Sequence, residues 1–331
     1  VLARGSTSRQ RNPTGRPHPV HGRATLCQVR CNDPGPWACN ATHVGDLADR
    51  AFVERSLEGV QAVLHAATLH KPQIGTCSKQ RFVDTNVTGT LNLLEGAVAA
   101  GADRFVFTST TSAFGEALVP PPHAPAAWIT EDVAPVVKNI YGATKTAAED
   151  LCRLAHLERG LPCLILRTSR FFPERDDLPD RREAFADENL KVNELLHRRV
   201  DLEDVVDAHL LALERAPRLG FARYVISATT PFTPDDLAEL RLDATAVIAR
   251  RVPEAEEVYA RQCWRLPREI ERVYVNARAR EELGWRPRRD FAFALARLAA
   301  GEDWRSELSL TVGSKGYPSA GAAYAPTPGP D

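Results

Sequence analysis

Between residues 45 and 228 two apolar patterns alternate along the chain, and that alternation admits few folds. From Cys77 to Ala100, apolar residues stand at Phe82, Val83, Val87, Leu91, Leu94, Val98 and Ala99, a helical stripe that Gly101 ends. Arg104 to Thr110 follows as a β-branched and aromatic strand. A proline-rich loop over 119–136 precedes a helix from about Tyr141 to Arg159. Pro162 to Arg167 is then almost wholly apolar, as in a parallel strand covered on both faces. Asp49 to Gly59 and Asp201 to Arg215 read as further helices, Gln61 to Ala67 and Arg223 to Ser227 as further strands. Strand and helix in this order predict an α/β fold with a doubly wound parallel sheet.

Composition excludes several classes of partner. A formal net charge of -1 gives no electrostatic footprint for nucleic acid or an anionic membrane. The apolar runs are too short to span a bilayer. Seven cysteines, odd in number and scattered, offer no paired CxxC spacing, so neither a metal site nor a disulfide framework is expected. Buried free thiols in a reducing, cytoplasmic setting are the expectation.

The first forty residues differ in character from the rest of the chain. Arginines recur at 4, 9, 11, 16, 23 and 30, proline is frequent, and Asp33 is the only carboxylate. No apolar periodicity is sustained there, and the chain contains no methionine. Residues 1–42 are therefore expected to be irregular, an altered or aberrant start, although Ala24 to Cys31 resembles a poor strand. Thr233 to Leu240 opens a later helix with a hydroxyl cap and a proline. The tail 313–331, rich in Gly, Pro and Ala, is expected to be disordered.

Chemistry is carried by Tyr-Gly-Ala-Thr-Lys at 141–145. Residues four apart on a helix share a face, so the phenol of Tyr141 and the ammonium of Lys145 point to one region. A nearby ammonium favours the phenolate and is expected to lower the tyrosine pKa, fitting it for proton exchange with a hydroxyl or carbonyl. Taken alone, this spacing also fits a solvated helix face. About thirty residues upstream a strand runs into Thr108-Ser109-Thr110-Thr111-Ser112, then Ala113-Phe114-Gly115. Strand C-terminal ends are where open α/β sheets bind ligands.

With these two motifs the chain resembles the extended short-chain dehydrogenases/reductases, the NAD-dependent epimerases and dehydratases similar to UDP-glucose 4-epimerase. The resemblance covers roughly residues 43 to 315 and implies a Rossmann-like cofactor domain over 43–168 and about 200–228. A smaller substrate part would comprise 169–199 and 229–312. It implies Thr110, Tyr141 and Lys145 as the catalytic residues, with Ser109 and Thr111 as register alternatives to Thr110. It further implies cofactor contacts from Asp46, Leu47, Ala66, Ala67, Asn86, Thr108, Tyr141, Lys145, Thr168 and Ser169. His65 reads as structural, and Leu283-Gly284-Trp285-Arg286-Pro287 as packing.

The implied activity moves a hydride between NAD or NADP and a substrate alcohol or carbonyl, with a nucleoside-diphosphate sugar as the leading small-molecule substrate and a homodimer as the assembly. A non-sugar carbonyl substrate and a catalytically silent homologue are the alternatives. Arg170, Asn193, Arg198 and Arg199 are candidates for the substrate's anionic group, with solvated arginines on helices as the plain alternative. One part of the pattern is missing. The early glycines stand at 5, 15, 22, 35 and 45, with no GxGxxG or GxxGxxG among them. Without that first unit the chain is expected to bind cofactor poorly and to leave a central strand without a neighbour.

Overall fold

The computed structural model describes residues 2–5, 9–11, 17–19, 23–28, 41–176 and 179–314, with backbone alone before residue 42. The strands are β1 (Leu2–Gly5), β2 (Arg9–Arg11), β3 (Pro17–Pro19), β4 (Arg23–Gln28), β5 (Ala41–Asp46), β6 (Ala62–His65), β7 (Arg104–Thr110), β8 (Ala127–Ile129), β9 (Cys163–Thr168), β10 (Phe221–Ile226) and β11 (Arg272–Tyr274). The helices that position the site are α1 (Arg50–Ser56), α2 (Lys79–Val83), α3 (Gly89–Ala99), α4 (Ile140–Arg159), α5 (Pro179–Ala184), α6 (Asp187–Leu195) and α7 (Leu202–Leu219). Five more, α8 (Leu237–Leu240), α9 (Ala244–Arg251), α10 (Ala255–Arg261), α11 (Phe291–Ala299) and α12 (Glu307–Val312), belong to the C-terminal part.

Seven strands form the main sheet in the order β10-β9-β7-β6-β1-β4-β5. From β10 to β1 every pairing is parallel. Successive residues of β7 face opposite layers. Phe105 and Phe107 pack with Leu93, Leu94, Ala97, Ala148 and Cys152 of α3 and α4. Val106 packs on the other side with Val205, Ala208, Ala212 and Ala216 of α7. Both faces are thus covered, as the apolar run of β9 requires. Trp285 closes the α7 layer and donates from Nε1 to the Asp204 carbonyl at 3.0 Å, a packing role. A separate cluster of Val192, Leu195, Val247, Ile248, Tyr259, Phe291 and Leu295 forms the core of the C-terminal part.

The N-terminal flank departs from the expected irregular segment. β1 occupies the slot beside β6, in register Leu2↔Leu64 and Ala3↔His65, so β6 has a neighbour after all. β4, which the sequence marks as a poor strand, is antiparallel to both β1 and β5. The sheet is therefore mixed at this end, and the segments described between β1 and β4 form the hairpin β2–β3 and no helix. The reason is geometric. An antiparallel neighbour follows from a chain that turns back, whereas a parallel one needs a crossover of a dozen or more residues, usually helical. The expected tail disorder falls on residues 315–331, which lie outside the described residues, as do Cys31 and Cys39.

The stripe over 77–100 is not one helix. A π-helical turn, Asp84–Thr88, separates α2 from α3 and buries Asn86. Helix α4 starts where the Asn139 side chain accepts the Gly142 amide and ends at Gly160 in the left-handed conformation. Of the free cysteines, Cys152 and Cys163 are buried as expected, whereas Cys263 is exposed. No helix among the described residues is long and apolar enough to cross a membrane.

Candidate active site

The hydroxyl run at the end of β7 divides its labour. Ser109 is buried and donates to Glu149 Oε1 at 2.5 Å, so its hydroxyl is committed. Thr108 pairs through Oγ1 with His209 Nε2 at 2.7 Å, while its carbonyl accepts from Lys145 Nζ at 2.8 Å. Thr111 is buried beneath the turn. Thr110 caps that turn, its Oγ1 accepting the Ser112 amide at 3.1 Å, and its side chain is the group that opposes the burial shift of the Tyr141 phenol. Of the three register candidates, Thr110 is the one that the structure brings to the tyrosine.

Burial dominates the electrostatics. It pushes the Tyr141 phenol up to about 12, with the Thr110 hydrogen bond opposing it. It pulls Lys145 down to about 7, against the opposing pull of Glu149 and Cys152. The expectation that Lys145 lowers the Tyr141 pKa is not met. Nζ is turned to the Thr108 carbonyl and sits 3.8 Å from the centre of the Phe107 ring, beneath the helix. Its charge is felt instead by two histidines, each held low chiefly by burial: His65, and His70, which falls to about 4.

Asn86 ties the loop after β6 to α4. Its Oδ1 accepts from Thr68 Oγ1 at 2.9 Å and from the Leu69 amide at 2.7 Å, and its Nδ2 donates to Thr144 Oγ1 at 3.0 Å. A π turn at this position fits the habit of such bulges to mark functional sites. That loop carries Ala66 and Ala67 and ends at His70, whose ring centre lies 6.0 Å from that of Tyr141. His65 bonds Thr90 Oγ1 through Nε2 at 2.8 Å, a structural contact. Asp46, expected at the adenine, accepts the Ala48 amide and pairs with Arg81 at 2.9 Å, and Leu47 is buried in the α3 layer.

At the end of β9, Thr168 Oγ1 donates to the Ser109 carbonyl at 2.9 Å and straps two strands together. The Ser169 hydroxyl is buried and finds no partner among the described residues. Beyond it, the residues expected to hold an anion have other occupations. Arg170 pairs with Asp176 at 2.8 Å, Arg198 with Glu194 and with Asp176 at 3.5 Å, and Arg199 with Glu194 at 3.0 Å. Asn193 donates to the Arg265 carbonyl and accepts from the Tyr259 hydroxyl at 2.8 Å. Arg198 and Arg199 are buried deeply enough that their charges must be paired, and the buried carboxylates of Glu194 and Asp176 engage them, and Arg170 with them, from within.

Sequence reasoning missed His70, Glu149, Phe172, Asp176 and Glu194. Glu149 was within reach, since Tyr141, Lys145 and Glu149 recur every four residues on one face of α4. Its carboxylate holds Arg167 at 2.8 Å as well as Ser109, fixing the strand ends beside the tyrosine. Among the described residues no group of His, Cys, Asp or Glu is placed to hold a metal ion.

A dinucleotide would meet two different ends of this crevice. The half-buried Thr110 hydroxyl, the unpartnered Ser169 hydroxyl and the Lys145 amine, which now donates to the Thr108 carbonyl, are the groups that would hold a nicotinamide and its ribose. At the β1–β4 end the described residues do not supply the other half of the fit. A pyrophosphate is normally cradled by backbone amides at a helix N-terminus, and no helix joins these strands among the described residues.

The model of the NAD dependent epimerase/dehydratase family matches residues 8–226. A dTDP-glucose 4,6-dehydratase of Streptomyces antibioticus is 30% identical over 282 residues, 78% of this chain and 74% of its own. A UDP-glucose 4-epimerase of Rhizobium meliloti (strain 1021) is 29% identical over 274 residues, 75% of this chain and 79% of its own. In fold the chain is similar to the RMD protein of Pseudomonas aeruginosa complexed with NADPH, with a TM-score of 0.52 at 23% identity over 82% of this chain and 91% of that one. A short-chain dehydrogenase/reductase superfamily protein of Agrobacterium tumefaciens with bound NAD also gives a TM-score of 0.52, at 23% identity, covering 77% of this chain and 83% of its own. The hydroxyl-ended strand, the Tyr141–Lys145 helix and a match over most of the chain lead to one assignment: this protein belongs to the NAD dependent epimerase/dehydratase family.

Proposed function

We propose that the site carries out the proton transfers of an NAD- or NADP-dependent epimerisation or dehydration of a nucleoside-diphosphate sugar. The observation that carries this reading is the pairing of the Thr110 and Tyr141 hydroxyls at the C-terminal end of β7, with Lys145 one turn further along α4. When bound, the nicotinamide would supply hydride acceptance and return. Tyr141 must be a phenolate to take the proton of a substrate hydroxyl and a phenol to return it; burial favours the phenol, so the proton-accepting form is the scarce one at neutral pH. Thr110 orients that phenol. Lys145, anchored on the Thr108 carbonyl, holds the helix face against the strand end and is poised to change charge near neutrality.

The sugar nucleotide follows from what the relatives are named for, a dTDP-glucose dehydratase and UDP-glucose epimerases. Self-association as a homodimer is part of the same reading and is checked by sedimentation. A second reading, a homologue without turnover, is favoured by one observation, the antiparallel β1–β4 pairing with no helix between the two strands among the described residues. Turnover of dTDP-glucose and UDP-glucose, with NAD or NADP added, separates the two. Tyr141→Phe should lower the rate by roughly 10²–10⁴-fold with the fold intact, and Thr110→Val by less. A Tyr141→Phe enzyme with near-normal turnover would overturn the assignment.

A further inference from the structure

Single exposed apolar side chains are ordinary on protein surfaces. Phe172 is distinguished by where it stands and by how firmly its loop is held. It lies four residues beyond the end of β9, at the ligand-binding edge of the sheet, and is 41% exposed. Its ring contacts Phe171, centre to centre 4.2 Å, and meets His70 edge-on at 5.7 Å. His70 in turn lies 6.0 Å from Tyr141. Two ring-to-ring steps therefore join the exposed Phe172 to the tyrosine.

The loop that carries this ring is pinned along its backbone. The Phe172 carbonyl accepts from Arg199 Nη1 at 3.1 Å and the Pro173 carbonyl from Lys191 Nζ at 2.7 Å. Asp176 is held by Arg170 at 2.8 Å, and its carbonyl accepts from Arg182 at 2.6 Å. Arg170, Arg182 and Arg199 are engaged in this clamp. What the wall offers a ligand is an uncharged aromatic surface, because His70 is neutral at physiological pH. Such a surface suits the C–H face of a saturated ring better than a phosphate.

We propose that Phe172 is the specificity-determining residue of this site. Its exposed ring packs on the apolar face of the substrate's sugar ring and keeps that ring beside Tyr141. The inference rests on the nucleotide-sugar reading and names the contact that recognises the sugar itself.

Calorimetric titration of the full chain tests it, with dTDP-glucose and UDP-glucose against dTDP and UDP, which lack the ring. Phe172→Ala should weaken binding of the two sugars by roughly tenfold and leave the two diphosphates within about twofold, while Phe172→Tyr restores the sugars. Equal losses on sugars and diphosphates, or no loss on either, would overturn the proposal and leave the nucleotide-sugar reading standing. If the unaltered chain takes up neither sugar, the nucleotide-sugar reading fails, and this inference fails with it.

Discussion

Tyr141 and Lys145 share a helix face, yet burial moves their proton affinities in opposite senses, one up to about 12 and the other down to about 7. The lysine shift has a consequence for stability. Between about pH 7 and 10.5 the unfolded chain keeps a proton on this lysine that the folded chain has released, so its contribution makes stability rise with pH across that window. Below pH 7 the charge is buried at full cost. Lys145→Met should therefore stabilise most below pH 7, and the gain should shrink as the pH rises toward 10.5. Urea unfolding of both proteins across that range checks this, and a pH-independent difference would contradict it. The spacing of the pair was legible because helical periodicity is a property of sequence. Their electrostatics were not, because desolvation depends on Phe107 and the Thr108 carbonyl, which come from a strand 37 positions away. Likewise the sequence could not separate Ser109 from Thr110, a choice made by the carboxylate of Glu149.

At the scale of elements, β7 and α4 were readable nearly to the residue, since one is continuous β-branched and aromatic sequence and the other runs between a proline-rich loop and the apolar strand that follows. The stretch 169–199 was not. Its charges suggest a solvated or ligand-facing segment, and only the folded chain shows that Glu194 of α6 draws Arg198 and Arg199 inward. Polar residues at core positions leave no periodic signature. The correction changes what a mutation should do. Arg199→Ala leaves Glu194 with a buried charge less fully paired, so it should cost about 3–5 kcal/mol of stability. A substrate-contacting arginine would instead raise KM with little change in melting. Denaturant unfolding beside steady-state kinetics distinguishes the two outcomes.

For the whole molecule, the parallel half of the sheet carries the chemistry and the mixed half sets its limits. A doubly wound sheet was evident from the order of elements, whereas a reversed β4 was not, because strand direction is set by connections rather than by composition. With no helix N-terminus at the β1–β4 end among the described residues, NAD and NADP should bind with a dissociation constant near or above ~1 mM, the range in which only about 4 kcal/mol of binding free energy remains. Titration calorimetry reads this directly, and micromolar binding would refute it. The same flank is joined to the rest of the sheet by a ladder of only two residue pairs, Leu2↔Leu64 and Ala3↔His65, whereas β4 and β5 share six. Such a seam lets β1 and β4 open as a unit while β7 and β9 stay closed. In deuterated water, amides of residues 23–28 should therefore exchange long before those of 105–110, and the sheet would come apart in two stages rather than one.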